Sequence, residues 1–266
     1  MRAFLTVFRV TIAGKGGLLL LAAAIGAVPV VVGTQRPELF GFGPLVQTII
    51  WTGILAATFV LGLSLLGDEL AAGRLSFFFG RPVPAAAIWG GKVAGGVVVA
   101  VAITAASLLP MNLWWPRWDQ GPELGPIGLG HVATPVLGVA LGMVAGVLIR
   151  GRSRWSILDG VALAAVPLLW IDIYAPIETA RTHISAIPRL TERQPLRDLL
   201  EQRVDLVVSV LVLAAIVGGL AASAAALSVG RASARRAHAA ASVTLWSILL
   251  PTAACVLVYA HWFLPV

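Results

Sequence analysis

Few residues in this chain have types that could do chemistry, and they are scattered. His131, His183, His238 and His261 fall in four separate segments. No H-E-x-x-H pair places two of them on one helix face, so a metal site is not expected. Cys255 stands alone inside an apolar run, which excludes an intrachain disulfide and a cysteine cluster and leaves it as a small packing residue. Gly91-Lys92 is followed by Val93 and does not complete a phosphate-binding loop. Gly62-Leu63-Ser64-Leu65-Leu66 departs from G-x-S-x-G and sits in an apolar stretch rather than a strand–turn–helix. Two acids remain, Asp159 and Asp172, within one apolar run. Carboxylates at membrane depth are costly and default to a function. Here they mark a candidate intramembrane polar site, or they pair with a loop arginine such as Arg154 near a span end. On this inventory the chain is not an enzyme by itself and binds no cofactor.

The elements around these residues are set by composition. Of 266 residues, 59% are hydrophobic and 12% are charged, against about 25% charged in soluble domains. That balance predicts an all-α integral membrane protein, a six- to seven-span helical bundle forming one domain over 1–266. The net charge of +7 fits cytoplasmic loops enriched in arginine better than nucleic-acid binding. Arg2, Arg9 and Lys15 precede an apolar run that continues past signal-peptide length to Val32, so the first span is expected to be retained. Before it, residues 1–15 place Phe4, Leu5, Phe8 and Ile12 at helical spacing, with Arg2, Thr6 and Arg9 turned away. This pattern predicts a helix lying in the membrane interface.

A hydrocarbon core of ~30 Å needs about 20 helical residues. Seven stretches approach or meet that length: 16–33, 44–67, 85–110, 130–149, 155–175, 204–229 and 243–263. With the amino terminus inside, 12 of the 19 basic residues fall in cytoplasmic segments, including the short loops RGRSR at 150–154 and RASARR at 231–236. Trp89, Trp155 and Trp246 then mark inner span ends, and Trp114, Trp115, Trp118, Tyr174, Tyr259 and Trp262 mark outer ones. The expected location is the cell membrane, with a cytoplasmic amino terminus and an extracytoplasmic carboxyl terminus. Gly138, Gly142 and Gly146 recur every fourth residue and predict a face open to close helix packing, as do Gly91 and Gly95. Within the outer loop 176–203, Thr191 and Gln194 fit a capping box ahead of an apolar stripe at Leu196, Leu199, Leu200 and Val204. An amphipathic outer-loop helix leading into the next span is expected there.

Asp68–Lys92 is the charge-bearing break between two apolar stretches, and the topology puts it inside the cell. Asp68 and Glu69 are expected at a helix start, where negative charge is favoured. Phe77, Phe78 and Phe79 form an aromatic row between Arg74 and Arg81, suited to a partner's pocket or to an interfacial lipid anchor. Pro82 and Pro84 end the segment and re-aim the chain.

Glu69, then Gly73-Arg74-Leu75, the aromatic row, Arg81-Pro82-Val83-Pro84 and Gly91-Lys92 together resemble the signature of type-two ATP-binding-cassette (ABC) exporter permeases. Arg74 stands where that family usually has threonine, and the seventh span (243–263) is an addition to its common six. The resemblance implies a cytoplasmic coupling helix over 68–84 that docks a separate ABC ATPase. Two ATPase copies carrying ATP and Mg would dock beneath two permease subunits, a homo- or heterodimer in membrane lipid. It also implies export, of an apolar or amphiphilic cargo given the Ala-, Val-, Leu- and Gly-rich walls. The alternative is an ATPase-coupled scaffold or mechanotransmitter acting on an extracytoplasmic protein.

Overall fold

The computed structural model describes residues 2–13, 15–35, 43–71, 84–114, 129–150, 194–229 and 234–263. They form seven helices: α1 (Arg2–Ile12), α2 (Gly16–Gln35), α3 (Gly43–Ala71), α4 (Ala85–Trp114), α5 (Leu129–Arg150), α6 (Gln194–Val229) and α7 (Ala234–Phe263). No strand occurs among the described residues. Among the described residues four helical stretches are long and apolar enough to cross a membrane, Ala85–Pro110, Val132–Ile149, Ser209–Val229 and Arg235–Cys255, and α1 with Gly16–Val28 would make a fifth if that bent pair is one span. With Ile50–Leu66 as a shorter apolar stretch of α3, this is the build of a membrane protein.

Local signals place several helix starts. The Lys15 carbonyl accepts the Leu18 amide at 3.1 Å and caps α2. The Pro84 carbonyl accepts the Ala87 amide at 3.0 Å and caps α4. Both satisfy amides that the first helical turn cannot pair. α4, α5 and α7 run through Pro110, Pro135 and Pro251 without ending.

The bundle is held by close backbone approaches. Thr58 of α3 lies against Gly138 of α5, and Gly62 lies against Gly142, so these two helices run in the same direction. A Cβ added at Gly142 would overlap the Phe59 carbonyl oxygen and stand 2.9 Å from the Gly62 Cα. On α4, Gly91 receives Val7 and the Phe4 carbonyl, and Gly95 receives Thr11. Around these contacts Leu61, Leu66, Ile103, Met143, Leu148 and Leu245 are fully buried. Buried hydroxyls are satisfied within the bundle: Thr58 Oγ1 donates to the Ile54 carbonyl at 2.8 Å and Ser107 Oγ to the Ala22 carbonyl at 3.1 Å. Where no water competes, leaving such groups unpaired costs several kcal/mol.

Several expectations need correction. Asp68 and Glu69 do not open a helix, because α3 continues through them to Ala71. Residues 194–204 are not a separate helix but the first turns of α6, which runs 36 residues to Val229. Trp246 does not mark an end of α7, which begins at Ala234, about 18 Å before it at the helical rise. Cys255 is exposed rather than packed. In α1 the face turned to α4 is Phe4, Val7 and Thr11, while Leu5 is exposed. The glycines of α4 admit the Val7–Thr11 row more closely than a row of larger side chains. Arg2 and Arg9 are exposed, and the Phe4 and Phe8 rings stack with centroids 6.3 Å apart.

Candidate functional site

Three polar contacts between separate elements, made by Lys92, Lys15 and Trp89, gather where α3 ends and α4 begins, while the Ser107–Ala22 bond lies toward the other end of α4. Lys92, in the second turn of α4, is only 4% exposed, and its Nζ donates to the Leu65 carbonyl of α3 at 2.7 Å. Burying an ammonium is costly unless it is paired, and a charged donor on a carbonyl is among the stronger hydrogen bonds. Lys15 approaches the same turn of α3 from the α1–α2 junction, where the two helices meet at 48°. Its Nζ donates to Ser64 Oγ at 2.8 Å, and that hydroxyl donates to the Leu61 carbonyl at 2.8 Å. These are the two lysines of the chain, and they bond neighbouring residues of one helix.

Trp89, one turn before Lys92, ties the same place to the far part of the sequence. Its indole Nε1 donates to Ser223 Oγ of α6 at 3.0 Å, and Ser223 Oγ donates to the Leu220 carbonyl at 2.8 Å. Gly91 lies against α1. The first two turns of α4 therefore touch α1, α3 and α6 together. Trp89→Phe removes the donor together with part of the indole's bulk, so it should cost about 1 kcal/mol for the bond and more for the lost packing. Reversible unfolding in mixed micelles would read the change, and a variant as stable as the parent would deny the bond any weight.

Asp68 and Glu69 occupy the last turn of α3, three and four residues past Leu65. Positions at that spacing share a helix face. Carboxylates at a helix carboxyl end oppose the backbone dipole, whereas a cation there is favoured. Lys92 thus bonds the turn of α3 that precedes these two acids in sequence. Gly73, Arg74, Leu75, Phe77, Phe78, Phe79, Arg81 and Pro82 lie outside the described residues, as do Asp159 and Asp172. Gly138 and Gly142 form the α3-facing surface of α5 described above, and Gly146 is buried on the same helix. Among the described residues no three His, Cys, Asp or Glu side chains are grouped as a metal would need.

Lys15, Ser64, Trp89 and Ser223 were not singled out by the sequence as members of one site. Lys15 reads there as a topology charge, Ser64 as a small packing residue and Trp89 as a belt aromatic. Their link is made by helices meeting at long range, Trp89 and Ser223 being 134 residues apart, which local spacing does not encode. The two lysines in an otherwise arginine-based set of cations are the one compositional signal that distinguishes part of the group.

Compared with known proteins, the chain matches no family model, no curated protein and no solved structure.

Proposed function

We propose that the chain is the permease subunit of an ATP-driven ABC exporter, with residues 68–84 as the segment that receives force from a separate ATPase. The observation that carries this reading is the Lys92–Leu65 bond. It joins α4 to α3 across 27 residues of sequence, so the charged, aromatic segment between them enters and leaves through helix ends that are tied to each other. A push on that segment would be transmitted to α3 and α4 rather than absorbed. Trp89 and Gly91 pass it on to α6 and α1. The motif from Glu69 to Lys92 supports the family reading, in which ATP and Mg belong to a partner because the sequence carries no phosphate loop of its own.

The direction of the helices supports a seven-span bundle. α5 runs parallel to α3 and so ends where α3 ends. Ser223, near the end of α6, meets Trp89 at that same end. Two successive helices that finish together require the chain between them to recross, which fits Trp155–Ala175 as a span. The cytoplasmic amino terminus, the cell-membrane location and the two-permease, two-ATPase assembly belong to the same proposal.

A second reading is favoured by α6. Its 36 residues extend about 54 Å at ~1.5 Å each, well beyond a ~30 Å hydrocarbon core. A continuous rod, fixed at one end by Trp89 and projecting at the other from Gln194, suits a mechanotransmitter acting on an extracytoplasmic protein. Purification from native membranes tests both readings. An ABC ATPase should co-purify with the chain, and its absence under mild detergent would remove both. Cargo retained by the reconstituted complex separates the exporter from the transmitter.

A further inference from the structure

We infer that the Leu61–Glu69 turn of α3 is a hinge, and that Lys92 and the Lys15–Ser64 pair are positioning residues that keep its carbonyls satisfied when it opens. The proposal rests on the coupling role for its purpose but not for its test.

The argument starts from two carbonyls one turn apart on the same helix row. The helical course to Ala71 pairs the Leu65 carbonyl with the Glu69 amide and the Leu61 carbonyl with the Leu65 amide. Each carbonyl also has a donor from outside that ladder. Leu65 accepts Lys92 Nζ at 2.7 Å, and Leu61 accepts Ser64 Oγ at 2.8 Å, with Ser64 in turn accepting Lys15 Nζ at 2.8 Å. Serine back-bonding by itself is common here; Ser228 and Ser247 also donate to the carbonyl three residues before them. What sets this turn apart is that two lysines reach it, one from the α1–α2 junction and one from α4.

In an apolar surrounding, opening a helical turn ordinarily strands a carbonyl. Here the carbonyl keeps a donor when the backbone amide leaves. Side chains inserted into the i→i−4 ladder are also a recognised cause of kinks. The end of α3 beyond Leu65 can swing about that residue while the helix before it stays packed on α5 through Gly62 and Gly142.

Amide hydrogen exchange, resolved to single residues, on the full-length chain alone in lipid nanodiscs tests this. A carbonyl shared by two donors loses less when one is removed than a carbonyl with a single donor. Lys92→Met should therefore make opening harder and slow exchange at Glu69 about tenfold, the weight of one charged hydrogen bond. Ser64→Ala should slow exchange at Leu65 about threefold. Faster or unchanged exchange at these two amides would overturn the hinge and leave two lysines that merely staple α3. Should Lys92→Met fail to fold, shown by faster exchange throughout α6 and α7, Ser64→Ala decides alone. No ATPase is present, so slowed exchange alongside failed ATPase co-purification would keep the hinge and reject the coupling reading. The reverse pair of results would do the opposite.

Discussion

Gly142→Leu is expected to destabilise the bundle by about 3 kcal/mol and to leave little monodisperse protein in mild detergent. Even a methyl group at Gly142 would overlap the Phe59 carbonyl oxygen and sit 2.9 Å from both the Gly62 Cα and the Leu63 nitrogen. Those neighbours are backbone, so no rotamer change relieves the clash. Only separation of α3 from α5 would, and that separation forfeits the dense contact that holds membrane helices together. The same register carries Thr58 against Gly138, so the loss would spread along the interface. Gly90→Ala is the control, because a Cβ there meets the Phe4 ring at an ordinary 3.5 Å. It should be neutral or slightly stabilising, alanine being the better helix former. Thermal midpoints in one detergent, with recovery on gel filtration, would compare the pair. If both variants melt together, the α3–α5 contact is not what holds the fold.

That interface also shows what the sequence makes legible. The four-residue period of Gly138, Gly142 and Gly146 marks a smooth face, because periodicity is a property of one helix. It does not say which helix comes to that face. Thr58 and Gly62 share the four-residue spacing but as a single pair, which becomes meaningful only once α3 is laid along α5. The same limit applies at the candidate site. The charge and aromatic pattern of Asp68–Lys92 is visible as a break between apolar runs, but Lys15–Ser64 and Trp89–Ser223 join residues 49 and 134 positions apart. Helix extents are less legible for a related reason. Apolar runs report lipid depth, whereas α6 and α7 begin earlier, in polar sequence at Gln194 and Ala234. Hydrogen bonding within a helix carries it beyond the apolar run, and hydropathy does not register that.

The second large effect is expected at the aromatic row. On the proposed coupling role, replacing Phe77, Phe78 and Phe79 together by serine should weaken binding of an ABC ATPase about 100-fold, while the melting midpoint stays with the parent. The sequence places three large apolar side chains in succession between Arg74 and Arg81. Such a row ringed by charge has the composition of an interface hot spot, where buried aromatics carry most of the energy. Two anchors worth ~1.4 kcal/mol each account for a factor of about 100. Arg74→Ala and Arg81→Ala should act differently, lowering the association rate and its salt dependence more than the final affinity. The competing role is an anchor in the bilayer interface. In that case the triple variant would hold ATPase as the parent does, and only its immersion in lipid, read by collisional quenching of a probe attached at position 76 in both proteins, would change. Titration of purified ATPase onto nanodisc-held chain separates the two. An affinity within threefold of the parent would make the row a lipid contact, and the force on α3 and α4 would have to enter elsewhere in 68–84.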